Sequence, residues 1–366
     1  MVSKPAVSVV MSVFNGERFL AEAIESILNQ SFRDFEFVII NDGSTDRTAS
    51  ILESYEKSDA RVRVYDQENK GLIASLNRAC GLAQGKYIAP MDADDVSTPH
   101  RLERQIGFLE NHEKVGVLGG AFEVIDDQGR WLFHVQPPLE DESIRAAFRS
   151  FSFPILHATA VLRKQAFDAT EGYRSQFLHA EDNDLFYRII ESWGVENLPN
   201  VVLRKRIHSN EVSVRNLRQQ VLSLLGAHAL WSARQLDSAE PPCDVPVISE
   251  GFLEKLGVSQ TSRRQALIAA YVSWIGAMSQ ASQHDAALRL FEELIDLSRP
   301  GPVPRSALSD AMLSTAWIHY RGGRPVRALV SLGRAFLTRP VVAGRPLKRA
   351  LKSFFFRRIK GEKGRA

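Results

Sequence analysis

Two hydrophobic periodicities alternate along the first hundred residues. Short β-branched and apolar runs predict buried strands at 6–14, 35–44, 61–67 and 86–92. Segments with apolar residues three and four positions apart predict helices between them, at 17–30, 45–57 and 71–83. This order is typical of an α/β fold with a doubly wound, mostly parallel sheet and right-handed crossovers.

The pattern changes further along the chain. Residues 99–214 mix helical and strand-like segments, and from about Asn216 the sequence becomes rich in leucine and alanine, with a proline-rich break at 239–246. We therefore predict an α/β domain over 1–214, an all-α domain over 215–344 and a basic tail over 345–366.

Two helical segments of the C-terminal half resemble each other. HDAALRLFEELIDLSRP (284–300) and PVRALVSLGRAFLTRP (325–340) each place alanines before a leucine-rich helix that ends at Arg-Pro. Their separation of about 40 residues suits degenerate paired-helix repeats of the tetratricopeptide kind. An ordinary helical bundle explains the same pattern, so both interpretations stay open.

The composition is that of a soluble globular protein, with 44% hydrophobic and 24% charged residues. The two cysteines, Cys80 and Cys243, have no disulfide or metal-site spacing, which favours a reducing compartment. We expect no signal peptide and no membrane-spanning segment, because no long apolar run occurs.

The net charge of +3 is unevenly distributed, since residues 345–366 contain nine Lys or Arg and one acid. RPLKRALKSFFFRRIK (345–360) has apolar residues near one helical face and basic residues around the rest, which predicts peripheral contact with an anionic membrane. A terminal helix packed on the body of the protein is the alternative. Nucleic acid is not an expected partner, because no groove-reading motif accompanies the charge.

Polar side chains follow the ends of the predicted strands. Asp42 follows the second strand, and the fourth runs into Asp92, Asp94 and Asp95. Ligands of parallel sheets bind beyond the carboxyl ends of the strands. Three neighbouring carboxylates beside a buried strand repel one another, so they predict a divalent cation with a phosphorylated ligand. A solvated acidic turn that caps the next helix is the simpler alternative.

Three further elements carry candidate chemistry, each with an ordinary structural alternative. Asp42 can accept a hydrogen bond from a base or ribose, or form an Asx turn. Glu181 and Asp182 open a predicted helix, where the dipole favours an ionised carboxylate that can deprotonate an alcohol; simple capping is the alternative. Arg206 and His208 lie in a basic run that suits phosphate or metal, or ordinary surface.

Taken in order, these elements resemble glycosyltransferase family 2, enzymes of the GT-A fold that use nucleotide sugars. The resemblance covers about residues 6–214 and rests on VSVVMSVFNGERFLAEAIESILNQSF, FEFVIINDGSTDRT, NKGLIASLNRA, GKYIAPMDADD, RLERQ, HATAVLR, AEDNDLFYR and RIHSNEVS. It implies a GT-A domain followed by the all-α region.

The resemblance implies a nucleotide-sugar site formed by Ser12, Phe14, Glu17, Asp42, Asn69, Lys70 and Asp92. We add Arg206, whose basic run can offset phosphate charge. The first three residues fall where the family lines the base pocket, and Asp42 where it contacts uracil. The family's first block usually reads Pro-x-Tyr-Asn, whereas Phe14 here keeps a stacking face without the hydroxyl.

Metal and catalytic roles follow from the same resemblance. Asp92-Ala93-Asp94 matches the DxD motif, so Asp94 and Asp92 are expected ligands of Mn²⁺ or Mg²⁺, with His208 near the metal. Asp182 matches the catalytic base, with Glu181 beside it contacting the acceptor or the base.

The expected reaction is inverting transfer of a sugar from a nucleoside-diphosphate sugar, expected to be a UDP-sugar, to a hydroxyl of a saccharide or lipid-linked acceptor. Relatives imply cell-surface polysaccharide synthesis, with a cytoplasmic enzyme that is peripheral at the inner face of the membrane.

Two competing interpretations are less well supported. A sugar-nucleotide pyrophosphorylase needs a glycine-rich phosphate loop after the first strand, and FNGERF does not supply one. A catalytically decayed scaffold with a helical interaction domain is disfavoured by the intact set of Asp42, Asp92, Asp94 and Asp182.

Overall fold

The computed structural model describes residues 4–209, 211–236 and 242–298, together with the single positions 312 and 331. The second of the similar helical segments, 325–340, therefore lies outside the described residues apart from one position, and the basic tail lies wholly outside them. Both interpretations of the repeats and the membrane contact of the tail stay predictions.

The described chain forms one sheet flanked by helices. Its strands are β1 (Val7–Val13), β2 (Phe35–Asp42), β3 (Val62–Gln67), β4 (Tyr87–Pro90), β5 (Val96–Ser97), β6 (Val115–Ile125), β7 (Trp131–Val135), β8 (Val161–Arg163) and β9 (Gly194–Arg206). Its helices are α1 (Leu20–Leu28), α2 (Thr48–Ser58), α3 (Leu72–Leu82), α4 (Arg101–Asn111), α5 (Asp141–Arg149), α6 (Lys164–Asp168), α7 (Glu181–Ile189), α8 (Val212–Arg215), α9 (Leu217–Gln235), α10 (Glu250–Lys255), α11 (Gln260–Gln280) and α12 (His284–Ser298), with a 3-10 turn at His157–Thr159.

The sheet has the order β3-β2-β1-β4-β8-β6-β9-β5, and β7 pairs with β6. Strands β3, β2, β1 and β4 are mutually parallel, as the alternating pattern predicts, and β1 and β2 are almost wholly buried. Beyond β4 the sheet is mixed, because β8 is antiparallel to both β4 and β6. The predicted α/β class is confirmed.

The parallel register brings three strand ends to one edge. Val13 of β1 pairs with Asn41 of β2, and Val10 of β1 pairs with Pro90 of β4. Side chains that follow β1, β2 and β4 therefore emerge at a common edge, where the sequence predicts the site.

Contacts divide the chain into two compact units. Of the described residues, the first unit contains those up to Arg206 together with those between Leu222 and Val258, and the second contains those between Ile207 and Val221 and those from Ser259 onward. Residues 222–258, which we expected in the all-α domain, thus group with the α/β unit. Within the described part of the chain, no helix combines the length and apolar character needed to cross a bilayer.

Two buried polar side chains of α4 connect β4 to the segment before β8. Arg101 is fully buried and donates to the carbonyl oxygens of Pro90, at 3.1 Å, and Ala160, at 3.0 Å. Gln105 donates to Thr159 O at 2.8 Å and accepts from Arg101 Nε at 3.1 Å. These bonds satisfy backbone carbonyls that the ladder leaves open, and they fix the end of β4.

Replacing Arg101 should therefore destabilise the fold. We expect Arg101→Met to lower the free energy of unfolding by about 3 kcal/mol, since it leaves two buried carbonyls without donors. Denaturant unfolding of Arg104→Met, an exposed arginine of the same helix, is the matched control and should change by less than about 0.5 kcal/mol. Equal losses in the two variants would contradict the structural role of Arg101.

Candidate active site

Three carboxylates meet in the loop that follows β4. One oxygen from each of Asp92, Asp94 and Asp95 lies within 4.8 Å of the others. Carboxylate oxygens are the ligands that Mg²⁺ and Mn²⁺ prefer. The structure thus places Asp95, the third carboxylate of this loop, beside the two predicted ligands of the DxD motif.

Asp95 shows that this loop fits a divalent cation. It is 1% exposed, and its Oδ1 accepts from the backbone N–H of Arg206 at 2.8 Å. Its Oδ2 is buried without a hydrogen-bond partner among the described residues. Burial and the charges of Asp94 and Asp92 raise the pKa of Asp95 well above its ordinary value. A bound cation would satisfy the unpartnered oxygen and favour the ionised form.

Arg206 supports the acidic loop from within the protein. It is 2% exposed, and its Nε donates to the backbone oxygen of Asp94 at 2.9 Å. Its Nη2 contacts Glu22 Oε2 at 2.6 Å, and its Nη1 contacts Asp126 O at 3.3 Å. The predicted role of Arg206 at the phosphates stays a prediction, and these contacts favour a structural role.

Asp42 organises the loop after β3. It is 2% exposed, and its Oδ1 accepts from Gln67 Nε2 at 2.7 Å and from the N–H of Lys70 at 2.8 Å. Its Oδ2 accepts from the N–H of Gly71 at 2.9 Å. Asp42 therefore holds the loop that carries the exposed residues Asn69 and Lys70, and the predicted contacts of these three residues with the nucleotide stay predictions.

The loops after β1 and β2 are joined by hydrogen bonds. Asn15 has a left-handed φ of 51°, which asparagine tolerates, and its Oδ1 accepts from the N–H of Thr45 at 2.8 Å. Glu17 Oε2 accepts from the backbone and Nε of Arg47 at 3.0 and 3.1 Å. These bonds from Arg47 lower the pKa of Glu17. Glu17 therefore stabilises the loop pair in this structure.

Ser12 and Phe14 flank the end of β1. Ser12 lies on the strand, pairs with Ile40 and is half-buried. The Phe14 side chain is 51% exposed, which is unusual for an aromatic residue and leaves a ring face open for stacking. The assignments of both residues to the nucleotide base stay predictions.

The predicted acid pair begins α7. Glu181 is 6% exposed, and its Oε2 has no hydrogen-bond partner among the described residues. Burial and the charge of Asp182 raise the pKa of Glu181 to about 8. Asp182 Oδ1 accepts from the backbone and side-chain nitrogens of Asn183, both at 2.8 Å.

Asp182 also acts electrostatically on the acidic loop. Burial and the charges of Asp94 and Asp182 raise the pKa of Asp92 above its ordinary value. The start of α7 is itself fixed by Asp184, which is 1% exposed and pairs with Arg188 at 2.8 Å and with Arg174. Asp182 is thus close enough for its charge to act on Asp92, and the catalytic roles of Asp182 and Glu181 stay predictions.

His157 is a site residue that the sequence reasoning missed. Its Nδ1 lies 4.0 Å from Asp92 Oδ1, and its Nε2 lies 2.9 Å from the hydroxyl of Tyr173. HATAVLR was recognised as a block, but its spacing gave no sign that position 157 meets position 92. The antiparallel pairing of β8 with β4 is what brings them together.

His208, the third predicted metal ligand, belongs to the second unit and is 9% exposed. Its assignment to the metal stays a prediction.

The chain resembles known glycosyltransferases in sequence and fold. The family model Glycosyl transferase family 2 matches residues 8–170. EpsE of Bacillus subtilis (strain 168), a protein assigned as a glycosyltransferase, is 40% identical over 195 residues, which cover 52% of this chain and 69% of EpsE. Chondroitin synthase of Escherichia coli is 26% identical over 215 residues, covering 58% of this chain and 30% of that protein.

Solved structures show the same fold. The mannosyltransferase PcManGT from Pyrobaculum calidifontis, in complex with GDP-Man and Mn²⁺, has a TM-score of 0.50 at 17% identity, covering 92% of this chain and 87% of that chain. Residues 1–349 of TarS from S. aureus give a TM-score of 0.50 at 18% identity, covering 90% of each chain. The predicted GT-A fold is confirmed.

The buried Glu181 should make stability depend on pH in a defined direction. The folded chain holds the Glu181 proton up to a pKa of about 8, whereas the unfolded chain releases it near 4.5. Between these pH values the folded state therefore binds more protons than the unfolded state. The free energy of unfolding falls with rising pH by up to about 1.4 kcal/mol per pH unit.

Glu181→Gln should remove this loss. In metal-free denaturant unfolding from pH 5 to pH 9, the variant should gain stability over the wild type as the pH rises. Glu113→Gln, at an exposed glutamate, is the control and should run parallel to the wild type. Parallel curves for Glu181→Gln as well would show that the Glu181 carboxyl is not desolvated.

Proposed function

The chain belongs to glycosyltransferase family 2 and is a transferase enzyme, and we propose that it is an inverting enzyme that uses a nucleoside-diphosphate sugar, most simply a UDP-sugar. The acceptor is a hydroxyl of a saccharide or lipid-linked saccharide. One observation carries the proposal: three carboxylate oxygens lie within 4.8 Å of one another at the end of β4, and the charge of the candidate base Asp182 acts on one of the three, Asp92.

Asp92, Asp94 and Asp95 would hold the divalent metal. A bound Mn²⁺ or Mg²⁺ supplies positive charge that stabilises the departing nucleoside diphosphate. PcManGT, which shares the fold, was solved with GDP-Man and Mn²⁺. The buried and unpartnered Oδ2 of Asp95 supports such a cation in this chain.

Asp182 would act as the general base. Its carboxylate takes the proton of the acceptor hydroxyl while the acceptor oxygen bonds to the anomeric carbon of the sugar. The bond from that carbon to the diphosphate oxygen breaks, and its electron pair leaves with the nucleoside diphosphate. A single displacement of this kind inverts the anomeric centre. Glu181, with a pKa near 8, keeps its proton at neutral pH and can donate a hydrogen bond to the acceptor.

The nucleotide would bind across the ends of β1 and β2. The open ring face of Phe14 suits stacking on a base, and Asp42 holds the loop with Asn69 and Lys70 beside it. Ser12 and Glu17 complete this end of the proposed site.

Polysaccharide synthesis is the proposed setting. The name of chondroitin synthase, one of the relatives in sequence, denotes polymer formation. Contact of residues 345–366 with the inner face of the membrane would bring the enzyme to lipid-linked acceptors, and this contact is part of the proposal.

Binding of nucleotides tests the proposed donor class. In thermal-shift measurements with UDP, GDP, ADP and CMP, we expect one diphosphate, UDP by preference, to stabilise the chain only when Mn²⁺ or Mg²⁺ is present. At one hundred times its Kd a ligand contributes about 2.7 kcal/mol, which is a measurable shift. Asp94→Asn should lose the metal-dependent part. No response to any nucleotide would favour the decayed scaffold.

Loss of the proposed base should abolish turnover without abolishing binding. We expect Asp182→Asn to lower kcat by about 10²–10⁴-fold, measured as release of nucleoside diphosphate from the donor with membrane-extracted glycans as acceptor. Binding of the metal and nucleotide should stay near the wild-type value, since Asn can keep the contact with Asn183. Asp168→Asn, at an exposed aspartate, should keep full activity. Unchanged turnover in Asp182→Asn would remove Asp182 from the proposed mechanism.

A further inference from the structure

We propose that His157 is a positioning residue that holds Asp92 toward the cation, and that the Tyr173 hydroxyl keeps the ring proton of His157 on Nδ1, the nitrogen that faces Asp92. This inference rests on the proposed function, because it concerns the same metal site. The role of His157 follows from its contacts with Asp92 and Tyr173, which are not its neighbours in the sequence.

The backbone fixes His157 beside Asp92. Strand β8 is antiparallel to β4, with Ile88 opposite Leu162. Extended past the end of β4, this register brings Asp92 level with the 3-10 turn His157–Thr159. Arg101 reinforces the arrangement, since its guanidinium bridges Pro90 O and Ala160 O. The buried hydrogen bonds of Arg101, rather than the side chains of the site, therefore set the distance between the end of β4 and the turn before β8.

The imidazole of His157 lies between two partners. Its side chain is 12% exposed, with Nδ1 4.0 Å from Asp92 Oδ1 and Nε2 2.9 Å from the Tyr173 hydroxyl. The rings of His157 and Tyr173 meet edge to face, with centroids 5.7 Å apart. Each ring nitrogen thus has one defined neighbour.

Tyr173 is rigidly held. It is 3% exposed, and its backbone N–H and C=O are both bonded by the side-chain amide of Asn77, at 2.9 and 2.8 Å. Burial raises the pKa of Tyr173 well above its ordinary value, so the phenol keeps its proton. In the proposed arrangement the phenol O–H donates to Nε2, which leaves the ring proton of a neutral imidazole on Nδ1, the nitrogen that faces Asp92.

An N–H at this position would counter the repulsion on Asp92. Asp94 and Asp182 both act unfavourably on the Asp92 carboxylate, and His157 acts in the opposite direction. Hydrogen bonds to a metal-binding carboxylate orient it, and their loss typically costs 10- to 100-fold in metal affinity. The 4.0 Å separation is longer than a hydrogen bond, and such contacts commonly shorten when the ligand binds.

Two substitutions separate the two nitrogens of the ring. The side-chain amide of His157→Asn reaches the place of Nδ1, and that of His157→Gln reaches the place of Nε2. Measuring free Mn²⁺ by electron paramagnetic resonance gives the Mn²⁺ affinity without any turnover. We expect His157→Asn to bind within about threefold of the wild type and His157→Gln to bind about tenfold or more weakly. Tyr173→Phe, which frees the tautomer, should fall between them.

Controls make the outcome decisive. His134→Gln, at an exposed histidine of β7, should leave Mn²⁺ binding unchanged, and circular dichroism should show each variant folded. If the wild type binds Mn²⁺ and His157→Asn and His157→Gln bind it equally, the inference is overturned while the proposed function stands. A wild type that binds no Mn²⁺ overturns the metal site and the inference together. At saturating Mn²⁺, His157→Gln should regain most of its kcat, because a positioning residue acts through the metal site.

Discussion

The mutual repulsion of carboxylates at the end of β4 is the constraint on which the rest of the site depends. Asp92, Asp94 and Asp95 stand at the margin of an apolar core, where like charges are costly. The protein offsets part of this cost through Arg206, whose backbone N–H donates to Asp95 Oδ1 and whose Nε donates to the backbone oxygen of Asp94. The carboxylate oxygens therefore stay together rather than turning apart into solvent.

Sheet topology converts this local arrangement into a site. Because β1, β2 and β4 are parallel neighbours, the loops after them share one edge, and Asp42 holds a fourth loop there through two backbone N–H groups. Antiparallel β8 then brings a second set of residues from later in the chain. Separate buried bonds from Arg101 tie β4 to that later segment. The end of β4, from which the acidic loop begins, is thus fixed by Arg101 contacts that involve none of the loop's carboxylates.

The first half of this arrangement was predictable from the sequence, and the second half was not. Alternating periodicity predicts the parallel strands. Ligands bind beyond the carboxyl ends of such strands, and this rule selects Asp42, Asp92 and Asp94 as candidate site residues. Asp182 was a candidate because it begins a predicted helix, and its assignment as the base came from the order of motifs. His157 was missed because its place depends on the pairing of β8, a strand of three residues that leaves no periodic pattern in the sequence. Strand β5, with two residues, is undetectable for the same reason. For Arg206 the sequence suggested a residue available to phosphate. A run of basic residues does not reveal that its guanidinium is buried against Glu22 and backbone oxygens.

Two buried polar atoms of the candidate site would gain a partner from the proposed ligands. Asp95 Oδ2 and Glu181 Oε2 are both buried without partners among the described residues, and each such group costs about 1–3 kcal/mol. An apolar replacement at either position would remove that cost. Their positions, one in the acidic loop and one beside the candidate base, correspond to the two ends of the proposed reaction. A cation would give Asp95 Oδ2 a partner, and an acceptor hydroxyl would give Glu181 Oε2 one. Binding of either ligand would therefore also stabilise the folded state.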